Sequence, residues 1–318
     1  MMQILYYTFL LIGAFYILVK SADYLLSTSS ILGQRMGLSK FVIGLTIVAI
    51  GTSLPELFTA ISGVLFSDNA DSFVIGTIIG SNISNILLIF GLLILFSKNF
   101  KCTTSVKNLS MLFLSTLAII FLIIISQINL ITGIIFLAIY IMYIYSEIKN
   151  QKKEHFEHEI DETADTTLEK KSDLFLAMIL LLSIGGLNFS SRGVIYGIEN
   201  IAILLSIPTT YLTLTTVAFA TSLPEVIVTY QSAKRRQYSL AIGNIIGSNI
   251  SNVFMILGVI GIITQFNFNA YSYLKSLFML IIATIIFIAY LRKKKLKNLH
   301  GIIAICLYIF YIISTFYI

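Results

Sequence analysis

The sequence has few charged residues, since Asp, Glu, Lys and Arg make up 11% of its 318 positions. An ordinary soluble domain carries about 25%, so the composition excludes that class. The chain is 57% hydrophobic with a mean hydropathy of +0.93. Runs of about 18 or more apolar residues recur along its length and predict membrane-spanning helices, whereas a transmembrane β-barrel would show short alternating segments.

Other classes are excluded by what is missing or isolated. The two cysteines, Cys102 and Cys306, are far apart and indicate no redox compartment. No nucleotide-binding loop and no nucleophile–base pair is present, so neither an enzyme nor a cofactor is predicted. The net charge of +6 resides in short loops, where membrane topology explains it without a nucleic-acid partner. The first apolar stretch has no basic n-region and no A-x-A site, which predicts a retained span.

The apolar runs predict an all-α membrane protein with ten spans. Their approximate bounds are 4–30, 41–66, 72–97, 109–127, 130–147, 174–203, 209–233, 238–264, 271–291 and 301–317. The segment 147–173 is charged, mixed in sign and poor in apolar residues, which predicts a flexible cytoplasmic linker. We therefore expect a first five-helix repeat at 1–146, the linker, and a second five-helix repeat at 174–318.

Basic residues predict the orientation of these spans. Of the 21 Lys and Arg residues, 18 fall in the odd-numbered loops, while Lys20 and Arg192 lie within spans and Lys275 lies in an alternate loop. The positive-inside bias then places the odd loops in the cytoplasm and both termini outside. We expect a multi-pass protein of the plasma membrane that functions as a monomer in the lipid bilayer.

Two sequence blocks occur twice, once in each half. The hexapeptide at 51–56, Gly-Thr-Ser-Leu-Pro-Glu, recurs with one change at 220–225, an offset of 169 residues. The block at 80–85, Gly-Ser-Asn-Ile-Ser-Asn, recurs unchanged at 247–252, an offset of 167. Because each half has an odd number of spans, the repeats are predicted to have inverted topology, with the motifs meeting near the midplane.

The hexapeptides place Glu56 and Glu225 inside apolar runs, where an acidic residue costs about 2.5–3.5 kcal/mol and normally faces a cavity. The order Ser-Leu-Pro-Glu is typical of a helix start with a hydroxyl cap. We therefore expect broken helices at the midplane, with a preceding half-helix that ends near 49–52 and leaves carbonyl oxygens for a cation. The second copy supplies the same set, Ala218, Thr221, Ser222 and Glu225.

The second block adds further oxygen ligands. Ser81 and Asn85, like Ser248 and Asn252, are four residues apart and share a helix face; Ser84 and Ser251 are additional candidates. Without Cys or His, the ligand set favours hard cations, and its flexibility suits Ca²⁺ or Na⁺ better than Mg²⁺. The glycines of these blocks fit either a cation site or close helix packing.

Two carboxylates balance one Ca²⁺, two Na⁺ or two protons. An empty site with two negative charges is costly to carry past an apolar gate. We therefore expect the gate to move only when cations neutralise Glu56 and Glu225, which makes exchange obligatory.

At these residues the chain resembles the calcium/cation antiporter superfamily, and most closely the prokaryotic sodium/calcium exchangers. The resemblance implies exchange of Ca²⁺ for Na⁺ by alternating access, with four adjacent ion sites and with the first and sixth spans sliding as a gate. Ca²⁺ would be held by Glu56, Glu225 and the carbonyls of Thr52 and Thr221. The flanking sodium sites would use Ala49, Thr52, Ser81 and Glu56 on one side and Ala218, Thr221, Ser248 and Glu225 on the other, with Asn85 and Asn252 lining the middle and Ser53 and Ser222 beside them.

Two departures from the family pattern carry expectations. Asn252 stands where relatives often have Asp, which implies a potassium-independent exchanger with little pH sensitivity at that position. Ala220 replaces the usual Gly and is expected to stiffen the second break. A proton/calcium antiporter is the alternative within the superfamily, and a cation channel is a weaker one because no TVGYG-like filter is present.

Overall fold

The computed structural model describes residues 2–66, 72–97, 104–151, 166–205, 221–293 and 296–316. Within these ranges, nine helices are long and apolar enough to cross a membrane. The seventh predicted span, 209–233, is described only from residue 221 onward, where its helix runs to Lys234. The structure therefore confirms nine of the predicted spans to within a few residues.

The ten helices are numbered in chain order. They are α1 (Met2–Arg35), α2 (Lys40–Phe66), α3 (72–96), α4 (Val106–Ile125), α5 (Leu130–Gln151), α6 (Asp173–Leu204), α7 (Leu223–Lys234), α8 (Tyr238–Ile263), α9 (Ala270–Leu291) and α10 (Asn298–Phe316). A single helical turn, Thr166–Glu169, precedes α6. Two short strands, β1 (Gln127–Ile128) and β2 (Phe266–Asn267), follow α4 and α8.

Helices α1 and α6, the first spans of the two halves, pack on each other in opposite directions. A Cβ at Gly186 would lie 2.3 Å from the Ser21 hydroxyl oxygen, and one at Gly193 would lie 3.1 Å from the Cβ of Ala14. The α1 partner thus moves toward the N-terminus as the α6 residue moves toward the C-terminus. Equivalent helices must run antiparallel in this way if the two repeats have inverted topology.

Helices α4 and α9 are also equivalent and also meet in opposite directions. The hydroxyls of Thr116 and Thr284, which are 168 residues apart, lie 3.0 Å from each other. At one end of this pair, β1 and β2 form an antiparallel two-stranded sheet with Gln127 opposite Asn267. The loops that carry these strands are both predicted to lie outside, and their pairing places them on the same side.

Among the residues that the structure describes, three ion pairs link segments at or near the predicted cytoplasmic loops. Arg35 pairs with Asp173 across the linker. Lys107 pairs with the buried Glu147 at 2.7 Å. Glu147 lies in α5, which continues to Gln151 and so extends past the predicted end of the fifth span. Arg235 reaches back to Asp23 of α1 at 2.9 Å.

Helices α2 and α8 run parallel and touch through their backbones. A Cβ at Gly243 would lie 2.1 Å from the Phe41 carbonyl oxygen, and one at Gly247 would lie 2.3 Å from the Leu45 carbonyl oxygen. Only glycine permits this approach. These two glycines are therefore packing residues, and their packing holds the second block of the second half against the first hexapeptide.

The helices that carry the motifs contain π-helical turns. In α3 one such turn covers Ser84–Ile89, and in α8 another covers Ser251–Ile256, at the same 167-residue offset as the sequence blocks. A third, Gly44–Val48, lies in α2 just before the first hexapeptide. Such turns occur frequently at functional sites because they displace a helix face from its regular register.

Candidate cation-binding site

The break in α2 is a single residue, Ser53. One helical piece, Ala49–Thr52, ends before it and the next, Leu54–Phe66, begins after it. The backbone of Ser53 has φ −85° and ψ 1°. Pro55 has no N–H, so the carbonyl four residues before it loses its helical donor at this point. The half-helix thus ends where the sequence predicts, with Glu56 in the first turn of the next piece.

From residue 221 onward, the second half repeats the start of the helix that follows the break. Ser222 has φ −86° and ψ −2° and precedes α7, whose first turn contains Pro224 and Glu225. The two serine backbones agree to within a few degrees, although their segments are separated by more than half of the chain. The predicted ligand Ala218 and the substituted Ala220 lie outside the described residues.

The prediction that the two serines cap their helices is wrong. Ser222 makes no side-chain capping bond, and the Ser53 hydroxyl finds no hydrogen-bond partner in the described part of the chain. A capping serine needs an extended backbone, as at Ser105, where ψ is 152° and the hydroxyl accepts from the Asn108 N–H. With ψ near zero, the Ser53 and Ser222 hydroxyls are left for another ligand.

The Ala49 carbonyl is not free, contrary to the expectation. It accepts the Ser53 N–H at 3.0 Å and lies 3.3 Å from the Thr52 hydroxyl. A carbonyl oxygen has two lone pairs, and a cation must therefore compete with the hydroxyl for one of them. The use of Ala49 as a ligand stays a prediction.

Both carboxylates are buried at the centre of the fold. Glu56 and Glu225 are each 1% exposed. The Ser81 hydroxyl lies 3.5 Å from one oxygen of Glu56, while the other oxygen of Glu56 and both oxygens of Glu225 have no hydrogen-bond partner among the described residues. The same Ser81 hydroxyl lies 3.4 Å from that of Thr221, so the Glu56 carboxylate lies next to the hexapeptide that carries Glu225. No ion pair identified within the described ranges includes either of them.

Hydroxyl contacts join the two halves in a crossed arrangement. The Thr52 hydroxyl lies 3.4 Å from that of Ser248, and the Thr221 hydroxyl lies 3.4 Å from that of Ser81. Each threonine thus meets the serine of the opposite repeat. These contacts differ from the predicted grouping of Ser81 with Thr52 and of Ser248 with Thr221, although Ser81 also contacts Glu56 of its own half as predicted. The assignment of these residues to individual sodium sites stays a prediction.

The spacing of these oxygens fits a metal polyhedron better than a hydrogen-bond network. The Thr52 hydroxyl lies 3.4 Å from that of Ser248, and the Ser81 hydroxyl lies 3.4–3.5 Å from its neighbours on Thr221 and Glu56, whereas hydroxyl hydrogen bonds are commonly about 2.7–2.8 Å. Oxygens that bind Ca²⁺ at about 2.3–2.6 Å and at right angles lie about 3.3–3.7 Å apart. The observed separations match the edges of such a polyhedron.

The amides of α3 and α8 make a second cross-link. The Asn252 amide nitrogen donates to the Asn82 side-chain oxygen at 3.0 Å, and the Asn82 amide nitrogen donates to the Asn249 carbonyl at 3.3 Å. The Asn252 side-chain oxygen is left without a partner in the described part of the chain, as are both polar atoms of Asn85. The two predicted asparagine ligands therefore retain free oxygens in the protein interior.

Three other residues refine the predicted set. The Ser251 hydroxyl pairs at 2.9 Å with that of Tyr140 on α5, so a cation would share it with this contact, and its use as a ligand stays a prediction. Asn82, which fixes the orientation of Asn252, was not predicted to have a role. Asn244, whose side-chain oxygen lies 3.3 Å from the Thr52 hydroxyl, was also missed, although its spacing of four from Ser248 is a sequence signal for the same helix face.

The donor set is almost entirely neutral oxygen around two acids. Within the described ranges, no group of three or more His, Cys, Asp or Glu could hold a metal ion. A transition-metal centre of the zinc type is therefore not built from these residues. Hydroxyl, amide, carbonyl and carboxylate oxygens fit a hard cation of the Ca²⁺ or Na⁺ type.

Comparisons with known proteins agree with this geometry. Residues 6–149 and 175–317 match the protein family described as sodium/calcium exchanger protein. The sodium/calcium exchanger MaX1 of Methanosarcina acetivorans is 29% identical over 97% of this chain and 98% of its own. A solved structure of the sodium–calcium exchanger NCX_Mj, soaked with Na⁺ and Sr²⁺, has a TM-score of 0.78 at 27% identity and covers 98% of this chain and 99% of its own.

A shorter segment of the chain is similar to a sodium/potassium/calcium exchanger. The human sodium/potassium/calcium exchanger 2 is 35% identical over 91 residues, which is 27% of this chain and 14% of the human protein. That similarity concerns a segment and not the whole fold.

Proposed function

The chain belongs to the sodium/calcium exchanger protein family, and from this membership and the site geometry we propose that it is a secondary active antiporter that exchanges Ca²⁺ for Na⁺ by alternating access. The exchange is independent of potassium. The transported ions are the substrates, no cofactor takes part, and no enzymatic step is needed. The protein works as a monomer in the plasma membrane with both termini outside.

The observation that carries this proposal is the pair of buried carboxylates, Glu56 and Glu225. They come from equivalent positions of the two halves, Ser81 contacts both Glu56 and the second hexapeptide, and no cationic side chain is found in an ion pair with either acid among the described residues. Two uncompensated acids in the membrane interior are costly. A bound Ca²⁺, or two bound Na⁺, removes the excess charge.

The roles of the remaining ligands follow from their positions. Ca²⁺ binds between Glu56 and Glu225, with carbonyls of the two breaks completing its oxygen shell. Sodium binds on either side, where Thr52 approaches Ser248 and Thr221 approaches Ser81. The free oxygens of Asn85 and Asn252 line the middle, and the uncapped hydroxyls of Ser53 and Ser222 are further ligands.

Coupling follows from electrostatics. Without cations the pocket carries two negative charges, and its passage through an apolar constriction is unfavourable. The pocket can therefore change its access only when it is loaded with ions of either kind. The antiparallel pair α1 and α6, which meets through small residues such as Ser21, Gly186 and Gly193, is the element that slides.

Flux measurements in proteoliposomes test the function. An inside-to-outside Na⁺ gradient should drive accumulation of ⁴⁵Ca²⁺ against its own gradient, and replacement of K⁺ by choline should not change the rate. Uptake driven by a pH gradient with Na⁺ absent on both sides would instead identify a proton/calcium antiporter. Calcium movement that only ever runs down its own gradient would identify a channel.

A further inference from the structure

We propose that Asn244 is a positioning residue for sodium: its side-chain oxygen accepts a hydrogen bond from the Thr52 hydroxyl and so turns the hydroxyl lone pairs toward the ion. The inference rests on the proposed function, since it concerns the sodium subsite between Thr52 and Ser248. It gives one of the two flanking subsites a residue that the other does not have.

Three oxygens compete for the single proton of the Thr52 hydroxyl. The Ala49 carbonyl and the Asn244 side-chain oxygen each lie 3.3 Å away, and the Ser248 hydroxyl lies 3.4 Å away. A cation bound by the Thr52 hydroxyl and by either the Ala49 carbonyl or Ser248 occupies the space between those ligands. A hydroxyl proton aimed into that space would face the cation, which is repulsive. Asn244 is the acceptor that stays compatible with a bound ion.

The Asn244 side chain lies entirely in the protein interior, where its oxygen contacts the Thr52 hydroxyl. The residue is 0% exposed, and its amide nitrogen has no hydrogen-bond partner within the described ranges. A buried, unpaired amide is unfavourable in itself. A leucine of similar size would fill the same volume without that cost, so packing alone does not explain an amide at this position.

The equivalent position in the first half is occupied by a different residue. The alignment that superposes Gly80 on Gly247 places Thr77 opposite Asn244. Thr77 is also buried, but threonine has no carbonyl-type oxygen and its side chain is shorter. Although Thr52 and Thr221 make matching contacts with the serines of the opposite repeat, only the Thr52 side has an amide at this position. The two flanking sodium subsites are therefore unequal.

The test uses the Na⁺ dependence of ⁴⁵Ca²⁺ uptake into proteoliposomes. Asn244→Ala should raise the Na⁺ concentration for half-maximal exchange by about fivefold, the effect of one lost hydrogen bond. Calcium–calcium exchange without Na⁺ should keep its half-saturation, because Ca²⁺ uses backbone oxygens of the breaks and not this hydroxyl. Asn244→Asp, which keeps the acceptor oxygen, should recover most of the Na⁺ affinity, whereas Asn244→Thr, the residue of the other half, should not.

A double-mutant cycle with Thr52→Val shows whether Asn244 acts through Thr52. Once the hydroxyl is gone, Asn244→Ala should add no further change in Na⁺ half-saturation. Full additivity of the two substitutions, or an equal shift of the Na⁺ and Ca²⁺ half-saturations in Asn244→Ala, would overturn the proposal. If Asn244→Ala fails to fold, Asn244→Asp and Asn244→Thr carry the same comparison.

A binding readout separates this inference from the transport function. Na⁺ added to the purified protein in detergent should raise its melting temperature by ligand linkage, and Asn244→Ala should need about fivefold more Na⁺ for the same rise. A wild-type protein that binds Na⁺ in this assay but shows no Na⁺-driven uptake would refute the exchange function and leave the role of Asn244 open to the same variants. Absence of any Na⁺ effect in the wild type would refute both.

Discussion

Substitution of Gly247 by Ala is predicted to separate α2 from α8 and to inactivate the cation site without replacing any of the predicted ligands. The new Cβ would lie 2.3 Å from the Leu45 carbonyl oxygen and 2.7 Å from the Cβ of Ala49. Ordinary contact begins at 3.4 Å. Since the nearest obstruction is backbone and not the end of a flexible side chain, the two helices must move apart by about 1 Å, a strain typical of overpacking.

The expected loss of Ca²⁺ flux follows from the position of the residue next to this contact. Ser248, the next residue, has its hydroxyl 3.4 Å from that of Thr52. A displacement of about 1 Å lengthens this edge beyond the separation of two ligands on one Na⁺ or Ca²⁺ ion. Misplacement of that size can lower a rate by about 100-fold, while the overpacking itself costs about 1–3 kcal/mol of stability.

The assay compares Na⁺-driven ⁴⁵Ca²⁺ uptake and thermal unfolding in detergent for Gly247→Ala and a matched control. Gly185→Ala in α6 is that control, because no described atom lies within 4 Å of a Cβ at Gly185. The control should keep both its melting temperature and its flux. If Gly247→Ala retained wild-type flux, the close approach of α2 and α8 would not be what positions the site.

Three further predictions concern the charges, the repeat interface and the ion selectivity. Glu56→Gln or Glu225→Gln should reduce Ca²⁺ flux by at least about 100-fold. The control Glu147→Gln, which changes a buried acid paired with Lys107 outside the site, should retain the flux. Substantial exchange in purified Glu56→Gln protein would refute the role of the two acids. Thr116→Val should cost about 0.6 kcal/mol through its contact with Thr284, measured as a lower midpoint of unfolding, with unchanged flux; a loss of flux would mean that this crossing moves during transport. Substitution of choline for K⁺ on both sides should leave Na⁺-driven Ca²⁺ uptake unaltered, and a K⁺ requirement would contradict the interpretation of Asn252.

The sequence predicts the helices well because the membrane imposes a simple rule. A span needs about 20 apolar residues in succession, and the charged loops between such runs mark their ends. For this reason the predicted bounds of spans such as 41–66 and 238–264 agree closely with α2 and α8. The antiparallel packing of α1 on α6 agrees with the inverted topology that the odd number of spans per half implies.

The local geometry of the breaks is predicted less well. Ser-Leu-Pro-Glu reads as a capped helix start, but Ser53 and Ser222 keep a nearly helical backbone with ψ close to zero. In α2 the interruption is one residue long, because Pro55 is tolerated in the first turn of a helix without an extended entry. Because the backbones of Ser53 and Ser222 are not extended, their hydroxyls do not cap the following helices and have no hydrogen-bond partner among the described residues. Helix-capping preferences do not predict this outcome.

A sequence motif does not predict which residues of the two repeats contact each other. Each motif lies on its own helix, so grouping Ser81 with Thr52 by sequence half was a natural assumption. The structure instead brings Thr52 next to Ser248 and Thr221 next to Ser81. The π-helical turn Ser251–Ile256, which lies in the block that carries Asn252, is likewise not predicted by the apolar pattern of its span.

The central claim is that Glu56 and Glu225 share one buried pocket for a hard cation, and equilibrium ⁴⁵Ca²⁺ binding to the purified protein tests it most directly. Wild-type protein should bind Ca²⁺ in competition with Na⁺, and either Glu56→Gln or Glu225→Gln alone should abolish the binding, because each acid supplies half of the same site. Two single variants that each keep about half of the bound Ca²⁺, or a double variant that still binds it, would contradict the claim.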